Sequence, residues 1–271
     1  MPRDHVYVYV CWGRSPQLRR ELRYSLETLL PEIGGEASRV AIFTDRPENF
    51  RDLEIAVFDV SADIASATSA GLFPLRAKPL VLARALRHFE RNCVLLDTDS
   101  FVREGFDATV GAALEAGAAM NRFERTDPYP DFGPFETELP HLGRYVLDSK
   151  RAPMFNSGLV AARPEHAPLL DDAVVLTDRL WQAGLRLHTV EQFAFCECLR
   201  LGGVPIRPID RNFEHYYSRW SKRYMRRRLR VRAPGAKIAF SKTRVRLFKW
   251  LWLSRLKWRG LRRPTSGLRA K

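Results

Sequence analysis

From Tyr216 to Lys271 the sequence has no aspartate or glutamate, against 20 lysines and arginines. The first 215 residues hold the other 25 basic residues and all 31 acidic ones, so the formal charge of +14 belongs to an acidic body with a basic tail. A polyanionic partner would meet the tail and not the body. A non-enzymatic nucleic-acid-binding protein would carry its basic and aromatic residues on the folded body instead, so no nucleic-acid partner is expected.

Cysteine is scarce. The four present lie in strand-like runs (Cys11, Cys93) or on one helix-like run (Cys196, Cys198), which excludes a disulfide framework and a zinc ribbon. Cys196 and Cys198, two apart on a helix, point in divergent directions and suit core packing rather than metal binding. No apolar run approaches the roughly 20 residues that span a bilayer. The opening "MPRDHVYVYVCWG" shows no basic leader and no small-residue cleavage site, so the expected location is the cytoplasm. Neither G-x-G-x-x-G nor G-x-x-x-x-G-K-[ST] occurs, which removes support for a dinucleotide-binding or P-loop site. There is no internal repeat.

What is present reads as alternating strands and helices. "HVYVYVC" is an apolar strand ending before Gly13, and Ser15 with Pro16 opens a helix, "PQLRRELRYSLETLL". "RVAIFTD" and "LEIAVFDV" follow as strands, "LRAKPLVLARALRHF" as a helix, and "CVLL" as a buried strand. Further on come a strand in "MFNSGLVAARPEH", a helix from about Pro168 to Ala183, a helix in "TVEQFAFCECLRL" and a last strand in "VPIRPID". Between them, residues 122–153 are crowded with proline, glycine and aromatics and form a long, partly irregular insertion. The pattern predicts an α/β fold with a mostly parallel sheet flanked by helices, residues 1–215 as its domain and 216–271 as a basic, Trp-rich extension. In such sheets ligands collect beyond the carboxyl ends of strands.

Three sequence features lie at such ends: Cys11-Trp12-Gly13, Thr44-Asp45 and Asp97-Thr98-Asp99. In extended chain, residues two apart face the same way, so Asp97 and Asp99 can converge on one point, and two hard carboxylate donors suit Mn2+ or Mg2+. The alternative is an Asp-rich turn in which one acid caps the next element. Arg76 and Lys78 open the preceding helix, where they reach a phosphate or lie solvated. "FNSG" at Asn156, Ser157 and Gly158 serves as a ligand-lining turn or an ordinary strand-entry turn. Thr189 to Gln192 fits a capping box, in which Gln192 closes on the backbone of Thr189.

The co-linear series "IFTDRPENF", "LRAKP", "VLLDTDSFV", "FNSGLV" and "TVEQFAF" resembles the GT-A (Rossmann-like) glycosyltransferases, and in particular their family 8-like branch. The resemblance covers about residues 5–215. It implies a nucleotide-sugar donor, most simply a UDP-sugar, whose diphosphate is gripped through Mn2+ or Mg2+ by Asp97 and Asp99, with Asp97 also near the ribose. It implies that Asn156, Ser157 and Gly158 line the donor sugar, and that Glu191 and Gln192 stand beside the reacting carbon as in retaining enzymes. Arg76 or Lys78 would meet the diphosphate, and Thr44 and Asp45, with Cys11 and Trp12 at the adjoining strand end, would border the nucleoside. The family's late metal-binding His lies in a "KI-x-H" context, but "KIAFSK" has none here. His215 is the nearest substitute, or else a packed aromatic neighbour, and Lys242 stands for the family's late Lys.

The stretch "TRVRLFKWLWLSRLKWRGLRRP" mixes cations with Trp250, Trp252 and Trp258 without a clean amphipathic face. It predicts contact of residues 243–271 with an anionic membrane surface, on the inner face, where a glycan or lipid-linked envelope acceptor would be met. The alternative is a helix packed on the body. A nucleotidyltransferase of related architecture is the competing enzyme class. It would carry a Gly-rich, basic loop after the first strand, of which "CWGRSPQLRR" is a poor version.

Overall fold

A computed structural model describes residues 5–69, 71–129, 132–148, 152–233 and 235–261, the last stretch with side chains as far as Leu253. The chain divides into two compact units, Met1–His215 and Tyr216–Lys271.

The first unit is built on strands β1 (His5–Cys11), β2 (Val40–Thr44), β3 (Ala56–Asp59), β4 (Asn92–Leu96), β5 (Ser100–Val102), β6 (Ala118–Met120), β7 (Phe123–Thr126), β8 (Glu136–Leu139), β9 (Gly143–Val146), β10 (Pro153–Phe155), β11 (Leu159–Ala162), β12 (Ile206–Pro208) and β13 (Phe213–His215). Its helices are α1 (Pro16–Glu32), α2 (Ser61–Ser69), α3 (Ala77–Phe89), α4 (Phe106–Ala116), α5 (Ala167–Gln182) and α6 (Val190–Leu201). Seven strands form one sheet in the order β12-β6-β11-β4-β1-β2-β3. Every neighbouring pair is parallel except those of β11, which runs antiparallel to both β4 and β6. This is the mixed α/β, mostly parallel architecture that the alternating pattern predicts.

The reason the strands read as unbroken apolar runs is that both sheet faces are covered. Along β1, Tyr7, Tyr9 and Cys11 enter one core with Leu22, Leu26 and Leu29 of α1. Val6, Val8 and Val10 enter the opposite core with Val81, Leu82 and Leu86 of α3. The period of two sends alternate residues to opposite layers. Under the first core, the Asp107 carboxylate of α4 is buried and receives Arg39 (2.6 Å), Tyr7 Oη (2.8 Å) and His5 Nε2 (2.9 Å). Burial opposes its charge, and the hydrogen bonds of His5, Arg39 and Tyr7 outweigh that, holding the group well below the usual carboxylate range.

The chain moves outward from β1 through β2 to β3, then returns to place β4 on the other side of β1. That reversal places a topological switch point at the carboxyl ends of β1 and β4, where such sheets bind ligands.

The insertion at 122–153 is more regular than its composition suggests. β8 and β9 form an antiparallel hairpin and β7 pairs antiparallel with β10. Buried Asp172 of α5 accepts the backbone N–H groups of His141 (3.0 Å) and Leu142 (2.8 Å), fixing the hairpin turn. A third apolar core of Tyr129, Tyr145, Met154, Leu176 and Phe193 packs this insertion on α5 and α6. Strands of three or four residues with mixed exposure show no readable alternation, which is why sequence periodicity misses them. The four cysteines are buried and unbridged. Cys196 and Cys198 enter different cores, as their divergent directions require.

The second unit contains α7 (Arg219–Val231) and α8 (Lys242–Leu261). Ser218 caps α7 by accepting Ser221 N–H at 3.2 Å. Tyr224 sets its ring edge-on to Phe240 and Phe248, and its hydroxyl donates to Ala239 O at 3.0 Å. On α8, Val245, Phe248 and Trp252 share one face, while Leu247, Trp250, Leu251 and Leu253 are exposed. Among the described residues, no helix is long and apolar enough to cross a membrane.

Candidate active site

β4 ends at Leu96, and the Asp97-Thr98-Asp99 turn leads into β5. Short β13 then pairs antiparallel with β5, His215 opposite Ser100, and this register carries the imidazole over the turn. Ligand atoms of Asp97, Asp99 and His215 all lie within 4.8 Å of one another. His215 Nε2 is 3.4 Å from Asp97 Oδ2 and 3.4 Å from Asp99 Oδ1.

The imidazole is oriented through its other nitrogen. Asn156 Oδ1 accepts the backbone N–H of Gly158 at 3.0 Å, which fixes the amide with its oxygen on that side. His215 Nδ1 lies 2.7 Å from the same oxygen and must therefore be the N–H donor. That points Nε2 at the two carboxylates. The three side chains offer their ligand atoms to one point, as a bound cation would require. Two hard carboxylates and an imidazole held by an outer hydrogen bond form a donor set that fits Mn2+ or Mg2+.

Gly158 is required by this packing. A Cβ at that position would stand 2.2 Å from His215 Nδ1 and 2.5 Å from its Cγ. The "FNSG" turn thus supplies both the amide that orients the imidazole and the space that admits it.

Lys78 of α3 is buried beside the cluster. Its ammonium lies 2.7 Å and 2.9 Å from the two carboxylate oxygens of Asp97, 3.7 Å from Glu191 Oε1, and donates weakly to Ser157 O at 3.4 Å. Burial disfavours that charge, but Asp97 and Glu191 more than compensate, and its pKa is raised. Asp97, Asp99 and Glu191 thus outnumber the one lysine beside them, a balance that a bound cation would offset.

Glu191 and Gln192 open α6 and are both buried. Glu191 Oε1 accepts Ser157 Oγ–H at 3.1 Å, while Oε2 is buried with no hydrogen-bond partner among the described residues. Burial raises the Glu191 carboxyl above its ordinary value, against the pull of Lys78. The capping-box expectation for Gln192 fails. Thr189 makes no side-chain cap, and its hydroxyl bonds Tyr129 Oη instead at 3.0 Å. Gln192 turns inward, accepting Ser157 N–H at 3.1 Å and donating through Nε2 to Glu124 Oε2 at 2.9 Å. Glu124 of β7, which the sequence gives no reason to select, also accepts Asn156 Nδ2–H at 3.0 Å. It ties the two amides of the site together.

The remaining candidates lie around this centre or away from it. At the ends of β1 and β2, the Asp45 carboxylate accepts Gly13 N–H at 2.9 Å, with Gly13 at φ +89°, a region closed to most side chains. Thr44 accepts Arg46 N–H at 3.1 Å. Cys11 is buried, its thiol pushed up to about 12 by burial and then by Asp45, and Trp12 is half-buried against the α3-side core. Arg76 is paired with Asp178 of α5 at 2.6 Å and does not join the Asp97 cluster. Lys242 is exposed at the start of α8, in the second unit.

No family model matches the chain. No curated protein matches it either. Among solved structures, the chain is similar to the apo form of mouse xyloside xylosyltransferase 1, with 13% identity, a TM-score of 0.46, and coverage of 76% of this chain and 85% of that one. What the site can do follows from its own side chains.

Proposed function

We propose that the protein is a metal-dependent glycosyltransferase of the GT-A type, family 8-like, that moves a sugar from a nucleotide-diphosphate sugar to a glycan or lipid-linked acceptor. The observation that carries this reading is the convergence of Asp97, Asp99 and His215 at the sheet's switch point, with Asn156, Glu191 and Gln192 around them. Departure of a nucleoside diphosphate concentrates negative charge on phosphate oxygens, and a divalent cation held by the three residues supplies the matching positive charge.

The chain's own groups do the rest. Lys78 neutralises part of the carboxylate charge and keeps Asp97 fixed. Asn156, oriented by Glu124 and Gly158, holds the imidazole with Nε2 toward the two carboxylates. Gln192, fixed at both ends of its amide, sets the Ser157 backbone that borders the sugar. Glu191, buried and held by Ser157, stands with Gln192 beside the reacting carbon, and from that pair we infer retention of the anomeric configuration. Thr44, Asp45, Cys11 and Trp12 border the nucleoside, for which we favour uridine. We place the reaction in the cytoplasm at the inner membrane face, with residues 243–271 toward its anionic surface.

The nucleotidyltransferase alternative loses support at Gly13. Its backbone N–H, which a phosphate-cradling loop would offer to the ligand, is taken by the Asp45 carboxylate, whose charge repels a phosphate there.

The test is a screen of UDP-, GDP- and CMP-sugars for hydrolysis with and without Mn2+, followed by NMR of the released or transferred sugar's anomeric proton. Turnover of one donor that needs the metal and is lost in Asp99→Asn is expected. Absence of metal-dependent turnover with every donor would overturn the proposal.

A further inference from the structure

The second unit contains a groove of about 540 Å³ between α7 and α8, lined by Arg219, Lys222, Arg223, Arg226, Arg227 and Arg230 above Phe248 and Trp252. At 3.6 residues per turn these six cations fill an arc of about 140° on α7, while Tyr224, Met225 and Leu229 turn to its buried side. Cations three and four apart on a helix repel each other. Arg219 and Lys222 also stand in the first turn, where the helix dipole disfavours positive charge, and α7 has no acidic residue there. Residues 216–271 contain no aspartate or glutamate. Six cations on one face of a helix, at the edge of a groove, are a ready seat for an anion.

We propose that the α7–α8 groove is a binding site for a phosphate group, carried by a lipid headgroup or by a soluble phosphorylated ligand. Arg223 lies flat over Trp252, its guanidinium carbon 3.9 Å from the ring centroid. Stacking fixes the plane of the guanidinium and leaves its N–H edges to donate in the bidentate manner that suits phosphate oxygens. The same stacking argues against nucleic acid. Trp252 is covered by Arg223, and Trp220 has Arg223 and Lys249 within 5.9 Å and 5.8 Å of its ring, so neither offers a clear platform for a base. A compact groove, rather than a long cationic track, also suits one or two phosphates better than a polynucleotide backbone. The inference does not depend on the transferase reading.

The experiment measures the full chain by calorimetry with inorganic pyrophosphate, and by co-sedimentation with phosphatidylcholine vesicles containing phosphatidic acid, against phosphatidylcholine alone. The groove variant Arg223→Gln/Arg226→Gln keeps helix-forming side chains. A charge-matched control, Arg244→Gln/Arg246→Gln, removes two exposed cations outside the groove. The expected result is binding of at least one probe, weakened on the order of tenfold or more by the groove pair and much less by the control pair. Pyrophosphate binding marks a soluble ligand; binding to phosphatidic acid vesicles alone marks a lipid headgroup. Equal losses in both variants would show diffuse attraction and overturn the site, as would failure of both probes. Tighter binding of a DNA duplex than of either probe would overturn it in favour of a nucleic-acid surface.

Discussion

The two units handle charge in opposite ways. In the first, several ionic groups are buried with a partner: Asp107 with Arg39, Asp97 with Lys78, Asp172 with two backbone N–H groups. In the second, cations are gathered on one helix face with no acid in the unit. A buried ion contributes little net stability with its partner but costs several kcal/mol without it, whereas an exposed cation among its like costs tenths. The first arrangement therefore fixes geometry, and the second stores attraction for something outside the chain. Charge-removing variants separate the two cases.

The largest effect is expected at Asp107. Asp107→Asn leaves Arg39 buried without its carboxylate and should cost about 3–5 kcal/mol, read as a fall in the melting temperature. The pH dependence carries a sign. Because the folded group sits below the unfolded carboxylate value of about 4, its contribution is complete above that pH. It is lost as pH falls below it, toward the folded value. Wild-type stability should thus decline on the acid side, and the variant's decline should be shallower. Parallel acid limbs in the two proteins would refute the pairing as the cause.

Gly158→Ala comes next. Its Cβ would collide with His215, and overpacking of this kind costs about 1–3 kcal/mol. The more telling readout is Mn2+ affinity by calorimetry, expected to drop about 10–100-fold through the displaced imidazole. Unchanged affinity would remove His215 from the metal site.

Gln192→Glu is a smaller change with a clear sense. As a helix cap it would be silent. In the observed position it sets a carboxylate where Nε2 lay 2.9 Å from Glu124, replacing a hydrogen bond by a repulsion. A loss of about 1 kcal/mol or more is expected, and the double variant with Glu124→Gln should recover it. A melting temperature equal to wild type in Gln192→Glu would restore the capping role.

The parts of this arrangement that were legible in sequence are those fixed by local rules. The buried run of β4 ends at its acids because both faces are covered and the chain must leave the sheet there. Ser15 and Pro16 start α1 because cap and first-turn preferences are local. The parts that were not legible depend on partners far along the chain. His215 reaches Asp97 only through a three-residue pairing of β13 with β5, and Glu124 joins Gln192 from 68 residues away. The Thr189-Gln192 spacing satisfied a local rule that a tertiary partner outbid, since Ser157 N–H and Glu124 bind both ends of the amide. In residues 216–271 the tryptophans of α8 stand out in the sequence, whereas the arginine face of α7 emerges only at helical spacing.

The smallest effect should come from that arginine face, and its sign tests the contrast between the units. Arg227→Gln removes an exposed cation that lies four residues from Arg223 and three from Arg230, and glutamine is as good a helix former as arginine. Relief of like-charge repulsion is worth about 0.2–0.5 kcal/mol per pair, so in low salt and without added anions the variant should melt at or slightly above the wild-type temperature. Raising the ionic strength should erase the difference, because screening already weakens the repulsion in the wild type. Inorganic pyrophosphate should reverse it: an anion seated in the groove stabilises the wild type more than the variant by mass action. A variant that melts well below wild type in low salt, with no response to pyrophosphate, would mean that Arg227 is held as tightly as Asp107 is, and the contrast between buried ion pairs in one unit and a crowded cationic face in the other would fall.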